Sequence, residues 1–143
     1  MARLEIPQTL AQWNERGREW LPGHLGIEFL AVDPDEIRAR MRVEQRVCAW
    51  NGFLHAGAIV TLADTCCGYA VVRNLPEAAE GFTTLELKSN FFGTSLEGFV
   101  ECTATPVHKG RSTQVWDAVV RAEGKPRPLA NFRCTQMILY PRS

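Results

Sequence analysis

Gly57-Ala58-Ile59-Val60-Thr61-Leu62-Ala63-Asp64-Thr65-Cys66-Cys67-Gly68-Tyr69-Ala70-Val71-Val72 carries one charged side chain, Asp64. A run that is apolar on nearly every face reads as a helix with other elements packed around it. The pattern predicts that helix over residues 55–74, roughly five turns, with Leu75-Pro76-Glu77 as its stop. A carboxylate inside such a helix costs free energy unless it is paired, hydrogen-bonded or set at a wet cavity. Asp64 is therefore the first candidate for chemistry. The plainer reading is a carboxylate bonded to backbone at a helix interface.

The rest of the chain supplies what would surround this helix. Before it, Thr9 can cap a short helix over residues 9–20, which Pro22-Gly23 would end. Residues 25–32 read as a strand, Asp33-Pro34-Asp35 as a turn, and Ile37-Arg38-Ala39-Arg40-Met41-Arg42-Val43 as a strand with one wet face. Residues 46–54 are irregular, with Asn51-Gly52 as a turn signal. After it, strands are expected at 83–92, 98–107, 112–121 and 129–139, with Gly93-Thr94-Ser95, Lys109-Gly110-Arg111 and Glu123-Gly124-Lys125-Pro126 between them. Short separators imply an antiparallel meander. The expected class is α+β: a curved antiparallel sheet of about six strands wrapped around one long central helix. The expected organisation is a single domain over 1–143, with 1–22 as an N-terminal helical extension.

Composition narrows the function. A chain of 143 residues suits one hydrophobic core. Sixteen basic and sixteen acidic residues balance, so no basic surplus points to nucleic acid or to an anionic membrane. The stretch 53–72 is long enough to weigh as a membrane span, but a mid-membrane Asp64 and the nearby His55 argue against it. The five cysteines are Cys48, Cys66, Cys67, Cys102 and Cys134, with no zinc spacing among them. The N-terminal residues lack the apolar stretch of a secretory signal. Reduced thiols in a cytoplasmic protein are the expectation. No Gly-rich phosphate loop or metal-binding cluster is present in the sequence.

His55-Ala56-Gly57 opens the helix. The first backbone N–H groups of a helix have no intrahelical partner and sit at its positive end. Gly57 lets a ligand oxygen approach closely, so this end can serve as an oxyanion hole for acyl transfer. Asp64 lies about 10 Å further along the axis at 1.5 Å per residue. One helix therefore cannot grip one carbonyl with both groups. Two helices meeting across a two-fold interface can, with the amide from one protomer and the carboxylate from the other. A Cys48–His55 nucleophilic pair is a weaker alternative, since no third residue orients it.

The stretch His55-Ala56-Gly57…Leu62-Ala63-Asp64 resembles the His-x-Gly…Leu-Ala-Asp segment of the hotdog-fold acyl-CoA thioesterases. The nearest branch is that related to the phenylacetate-pathway thioesterase. The similarity extends from about residue 25 to the C-terminus and includes Thr83-Thr84-Leu85-Glu86-Leu87-Lys88-Ser89-Asn90-Phe91 and the turn at Val107-His108-Lys109-Gly110-Arg111. The resemblance implies Asp64 as general base or nucleophile, Gly57 as the facing subunit's oxyanion amide, and His55 as an orienting group. It implies Thr84 as a hydroxyl that helps place water, and His108, Lys109, Gly110 and Arg111 as a turn meeting the coenzyme A phosphates. Many members carry Gly at the position of Ala56 and an Asn at that of Ala49; Asn51 is the nearest substitute here. No separate cofactor is expected, since coenzyme A belongs to the acyl-CoA substrate. A homodimer at least, and a homotetramer by resemblance, are the expected assemblies, with phenylacetyl-type or medium-chain acyl groups. A non-catalytic acyl-CoA-binding protein and a hotdog hydratase or dehydratase are the competing readings. The facing of Glu86 is open.

Overall fold

The computed structural model describes residues 4–142. The central helix, α3 (Ala56–Arg73), starts on His55 as N-cap and ends on Asn74. The strands are β1 (Glu28–Val32), β2 (Ile37–Arg42), β3 (Gly81–Phe91), β4 (Phe99–Lys109), β5 (Thr113–Ala122) and β6 (Pro128–Leu139). They form one six-stranded sheet in the order β1-β2-β4-β5-β6-β3, and every pairing is antiparallel. The sheet curls around α3, which meets all six strands.

Small side chains make this wrapping possible. Ala63, Cys66, Cys67 and Ala70 are buried on α3, and Ala39, Cys102, Ala104 and Ala118 are buried on the strands opposite. Backbones carrying such residues approach closely, and the larger Leu62, Met41, Val100, Trp116 and Phe132 fill the remaining space. Breaks in register at Thr84/Glu86 in β3 and Pro106/His108 in β4 bend the sheet around the helix. The end of α3 is fixed to β5: the Gln114 amide donates to the Asn74 carbonyl at 3.0 Å and accepts from Trp116 Nε1 at 2.9 Å. All five cysteines are free thiols, and burial pushes Cys66 and Cys67 up, as their core position requires.

Several expectations need correction. The strands are not a simple meander. β4, β5 and β6 are consecutive neighbours, but β3 lies beyond β6 and not beside β4. Its link to β4 crosses the end of the curled sheet, where Thr94 Oγ1 accepts from the Leu54 N–H at 3.1 Å. The N-terminal helix is two pieces, α1 (Leu10–Arg16), held by a Thr9–Gln12 capping box, and α2 (Leu21–His24). Pro22 starts the second piece rather than ending the first, because proline suits the first turn of a helix. β1 begins three residues later than expected, after Gly26 at φ +70°. Residues Gln45–Val47 form a 3-10 turn within the irregular segment.

Leu62 has no exposed surface. Leu62→Ala is expected to lower stability by about 2–5 kcal/mol, read as a lower denaturant midpoint at unchanged slope. A loss below ~1 kcal/mol would mean that the helix is not enclosed as described.

Candidate active site

The sheet covers most of α3 but leaves one stripe open. Gly57 is exposed, and Thr61, Asp64, Thr65 and Val72 are half-buried along that side. The spacing of seven residues between Gly57 and Asp64 is two turns, so both lie on the same face. Thr61 Oγ1 donates back to the Gly57 carbonyl at 2.8 Å and occupies the turn between them.

Asp64 is the unusual group. Its Oδ1 is buried and has no hydrogen-bond partner among the described residues. Burial pushes its pKa up, and no ion pair or hydrogen bond offsets it. The carboxylate lines a cavity of about 240 Å³ that is otherwise mostly apolar, with Trp13, Tyr69, Val72 and Phe82 among its walls. The reading of Asp64 as a carboxylate bonded to backbone at a helix interface therefore finds no support in this structure.

At the helix start, His55 takes extended backbone dihedrals (φ −68°, ψ 131°), as an N-cap residue does. Its Nδ1 accepts from the Gly57 N–H at 2.8 Å. That bond requires a neutral imidazole with its proton on Nε2. It also occupies the amide singled out from the sequence. The adjacent Ala56 N–H, at the first helical position, has no acceptor among the described residues. Sequence reasoning passed over Ala56 because its side chain carries no chemistry. The available signal was its place in the helix, since N1 amides are free by construction.

The remaining candidates are spread over the structure. Thr84 lies on β3 in register with the buried Gln136, on the strand face that looks toward the helix. Glu86, past the bulge, faces outward and accepts from Thr135 Oγ1 at 2.8 Å. Asn51 Oδ1 accepts from the Phe53 N–H at 3.1 Å and so shapes the turn before α3. His108, Lys109, Gly110 and Arg111 lie at the opposite end of the helix. Lys109 Nζ is 2.6 Å from Asp35 Oδ1 and 3.4 Å from Asn74 Oδ1. The His108 ring lies against Gly110, and the Arg111 guanidinium sits 5.9 Å from the centre of the Tyr140 ring. One chain thus joins Asp64 to a cavity but does not bring it to the helix N-terminus or to the basic turn. Among the described residues no cluster of His, Cys, Asp and Glu is arranged to hold a metal.

A family model described as the thioesterase superfamily matches residues 51–128, which include α3 and three of the strands that follow. The chain belongs to the thioesterase superfamily. It has the hotdog fold and is a thioester hydrolase. It is similar to the 1,4-dihydroxy-2-naphthoyl-CoA hydrolase of Escherichia coli, 32% identical over 131 residues, 92% of this chain and 95% of the relative. It is also similar to the proofreading thioesterase EntH of Cronobacter turicensis, 30% identical over 118 residues, 80% of this chain and 83% of the relative. A crystal structure of a thioesterase from Haemophilus influenzae superposes with a TM-score of 0.87 at 31% identity, covering 98% of this chain and 96% of the other.

The raised pKa of Asp64 has a consequence for stability. In the folded state the group holds its proton to higher pH than in the unfolded chain. Below the ordinary carboxylate range both states are protonated and the burial of Asp64 costs little. As pH rises through the folded pKa, the buried charge forms and stability falls. Asp64→Asn is therefore expected to melt at a higher temperature than the wild type at neutral pH, with the gap closing in acid. A gap that does not change with pH would contradict an unpaired buried carboxylate.

Proposed function

We propose that the chain hydrolyses an acyl-CoA thioester to a free carboxylic acid and coenzyme A, with Asp64 as general base or nucleophile. The observation that carries this reading is the unpartnered carboxylate at an apolar cavity on the open face of α3. The coenzyme A esters named for relatives support the substrate class.

The thioester carbonyl oxygen is held by backbone N–H groups at a helix N-terminus. The Ala56 amide is free for this, and the Gly57 amide joins it when the His55 ring moves off. One such donor lowers the barrier by about 3 kcal/mol. Asp64 takes a proton from water as the water oxygen attacks the carbonyl carbon. The C–S bond then breaks, and the proton passes to the coenzyme A sulfur. In the nucleophile route the carboxylate attacks the carbonyl carbon directly. The C–S bond breaks and coenzyme A leaves as its thiolate, which takes up a proton. Water then opens the anhydride to give the free acid and restore Asp64. Thr84 helps place the water, and Asn51 supports the turn that leads into the amides. Burial favours either role, since a carboxylate with a raised pKa is a stronger base.

The amide and the carboxylate belong to facing protomers of a homodimer, because about 10 Å separates them along one helix. The surface of the chain suits that assembly. β3 is an edge strand, and Leu85, Leu87 and Phe91 on it are exposed. An uncovered apolar edge calls for a partner strand. A tetramer of two dimers is the larger assembly we propose. The Lys109–Arg111 turn meets the coenzyme A phosphates, with Lys109 turning from the exposed Asp35 to the more highly charged ligand. The free thiols accord with a cytoplasmic setting. No further cofactor takes part.

Asp64→Asn should abolish thiol release from acyl-CoA esters while sedimentation shows an unchanged assembly. Undiminished turnover in a clean preparation would reject the assignment. The double variant Lys109→Ala, Arg111→Ala should raise KM for coenzyme A esters several-fold and spare the corresponding pantetheine thioesters. Equal losses on both would remove the phosphate role.

A further inference from the structure

Four of the five thiols lie in the core, and the hydrolytic chemistry uses none of them. Cys66 and Cys67 are neighbours on α3, Cys102 is on β4 and Cys134 is on β6, and all four have no exposed surface. Successive residues of a helix point about 100° apart, so the two helix thiols face different strands. Cys66 is hydrogen-bonded to Cys102, and Cys67 to Cys134. The close seating of the helix makes these contacts, with Cα atoms of α3 within 8 Å of Cα atoms on both strands.

The two pairs differ in one respect. Cys134 Sγ also accepts from the Gln136 amide, with Nε2 at 3.3 Å. The other end of that amide, Gln136 Oε1, is buried without a hydrogen-bond partner. An unpaired buried oxygen is costly, and the amide that carries it is turned toward sulfur. Two donors on one sulfur favour its anionic form. The Cys67 hydrogen bond and the Gln136 amide hold Cys134 below the ordinary thiol range in spite of burial, whereas burial holds Cys67 above it. Cys102 has no such amide donor among the described residues. Cys67 and Cys134 are thus a thiol in contact with a sulfur suited to the thiolate form.

We propose that Cys67 and Cys134 are a peroxide-sensitive pair that closes to a disulfide and switches the hydrolase off. The loss of activity rests on the hydrolase reading above; the cross-link does not. Cys134 attacks one oxygen of hydrogen peroxide, the O–O bond breaks, and the other oxygen leaves as hydroxide and is protonated to water. The Cys67 sulfur then displaces hydroxide from the Cys134 sulfenic acid. Its proton goes to that hydroxide, and an S–S bond and a second water result. Two thiols are oxidised and one peroxide is reduced. Peroxide is little larger than water and reaches a buried sulfur through local opening of the fold. Cys67 stands three residues beyond Asp64, less than one turn. Bonding shortens the sulfur–sulfur separation from ~3.5 Å or more in non-bonded contact to about 2.0 Å, which draws that turn toward β6. A displacement of about 1 Å at a reacting group can cost roughly a hundredfold in rate.

The Cys48→Ser protein lacks the one thiol that is not fully buried. It would be treated with hydrogen peroxide, cleared with catalase, alkylated in denaturant and mapped by peptide mass, with thiol release from acyl-CoA esters measured in parallel. Disulfide-linked peptides containing Cys67 and Cys134 are expected, with turnover lower by about tenfold or more and restored by dithiothreitol. Cys67→Ala and Cys134→Ala, each compared with its own untreated sample, should keep their turnover through the same treatment. Cys102→Ala should lose it as the parent does. No cross-link, a Cys66–Cys102 link in its place, or a Cys67–Cys134 link with unchanged turnover would each overturn the proposal. The mapping needs no core substitution, so a variant that fails to fold leaves the decision intact. Untreated protein silent toward acyl-CoA esters would instead sink the hydrolase reading, with the cross-link still deciding the pair.

Discussion

The close seating of α3 in the curled sheet governs the rest of the molecule. Alanines and cysteines on the inner side of the helix meet alanines and a cysteine on β2, β4 and β5, and the backbones come together with little between them. A helix enclosed in this way can expose only the stripe that the sheet does not reach. The proposed hydrolytic chemistry lies on that stripe or at its end. Asp64 is there because a carboxylate facing inward, among Leu62, Cys66 and Ala70, would have neither water nor a partner. Packing therefore selects where the charge can stand, and the proposed chemistry uses the position.

The helix start shows two demands on one set of amides. Helix formation favours an N-cap acceptor for the first free N–H groups, and the His55 ring provides one for Gly57. In the proposed reaction, oxyanion binding needs those same groups open. Neighbouring residues divide the two demands: one amide is capped, and the next, that of Ala56, has no acceptor among the described residues. The choice of histidine matters here. A serine or aspartate would cap more firmly, but an imidazole can give up its bond by rotating its side chain and retains a second nitrogen for other contacts.

How far the sequence could carry this argument differs from element to element. The ends of α3 were readable to within a residue, because His55 and the Leu75-Pro76 stop are local signals. The strands were readable from alternation, and Asp64 from its isolation. The position of β3 was not, because a short link suggests neighbouring strands only in a flat sheet. In a curled sheet the two ends come near each other, and a short link can cross between them. Glu86 was unreadable for a related reason. The bulge beside it shifts the alternation by one residue and reverses which face each later side chain takes. The surroundings of Tyr69 were not readable either, because a tyrosine in an apolar run gives no sign of what its ring and its hydroxyl each meet. Only the coordinates show that the ring packs on Phe29 and Trp13 while the hydroxyl lies beside Gly17. The packing of the N-terminal extension was hidden likewise, since the contact of Trp13 with Tyr69 joins residues far apart in the sequence.

Arg16 shows how the cavity preserves the character of Asp64. An arginine lines the same chamber as the carboxylate, and a direct pair between them would stabilise the charged form and lower the pKa. Such a carboxylate would be a weak base and a poor nucleophile. The guanidinium instead donates to the Glu5 carbonyl, and burial alone shifts Asp64. The backbone contact thus has an electrostatic effect as well as a structural one. It keeps the cation off the carboxylate and leaves the acid unpaired.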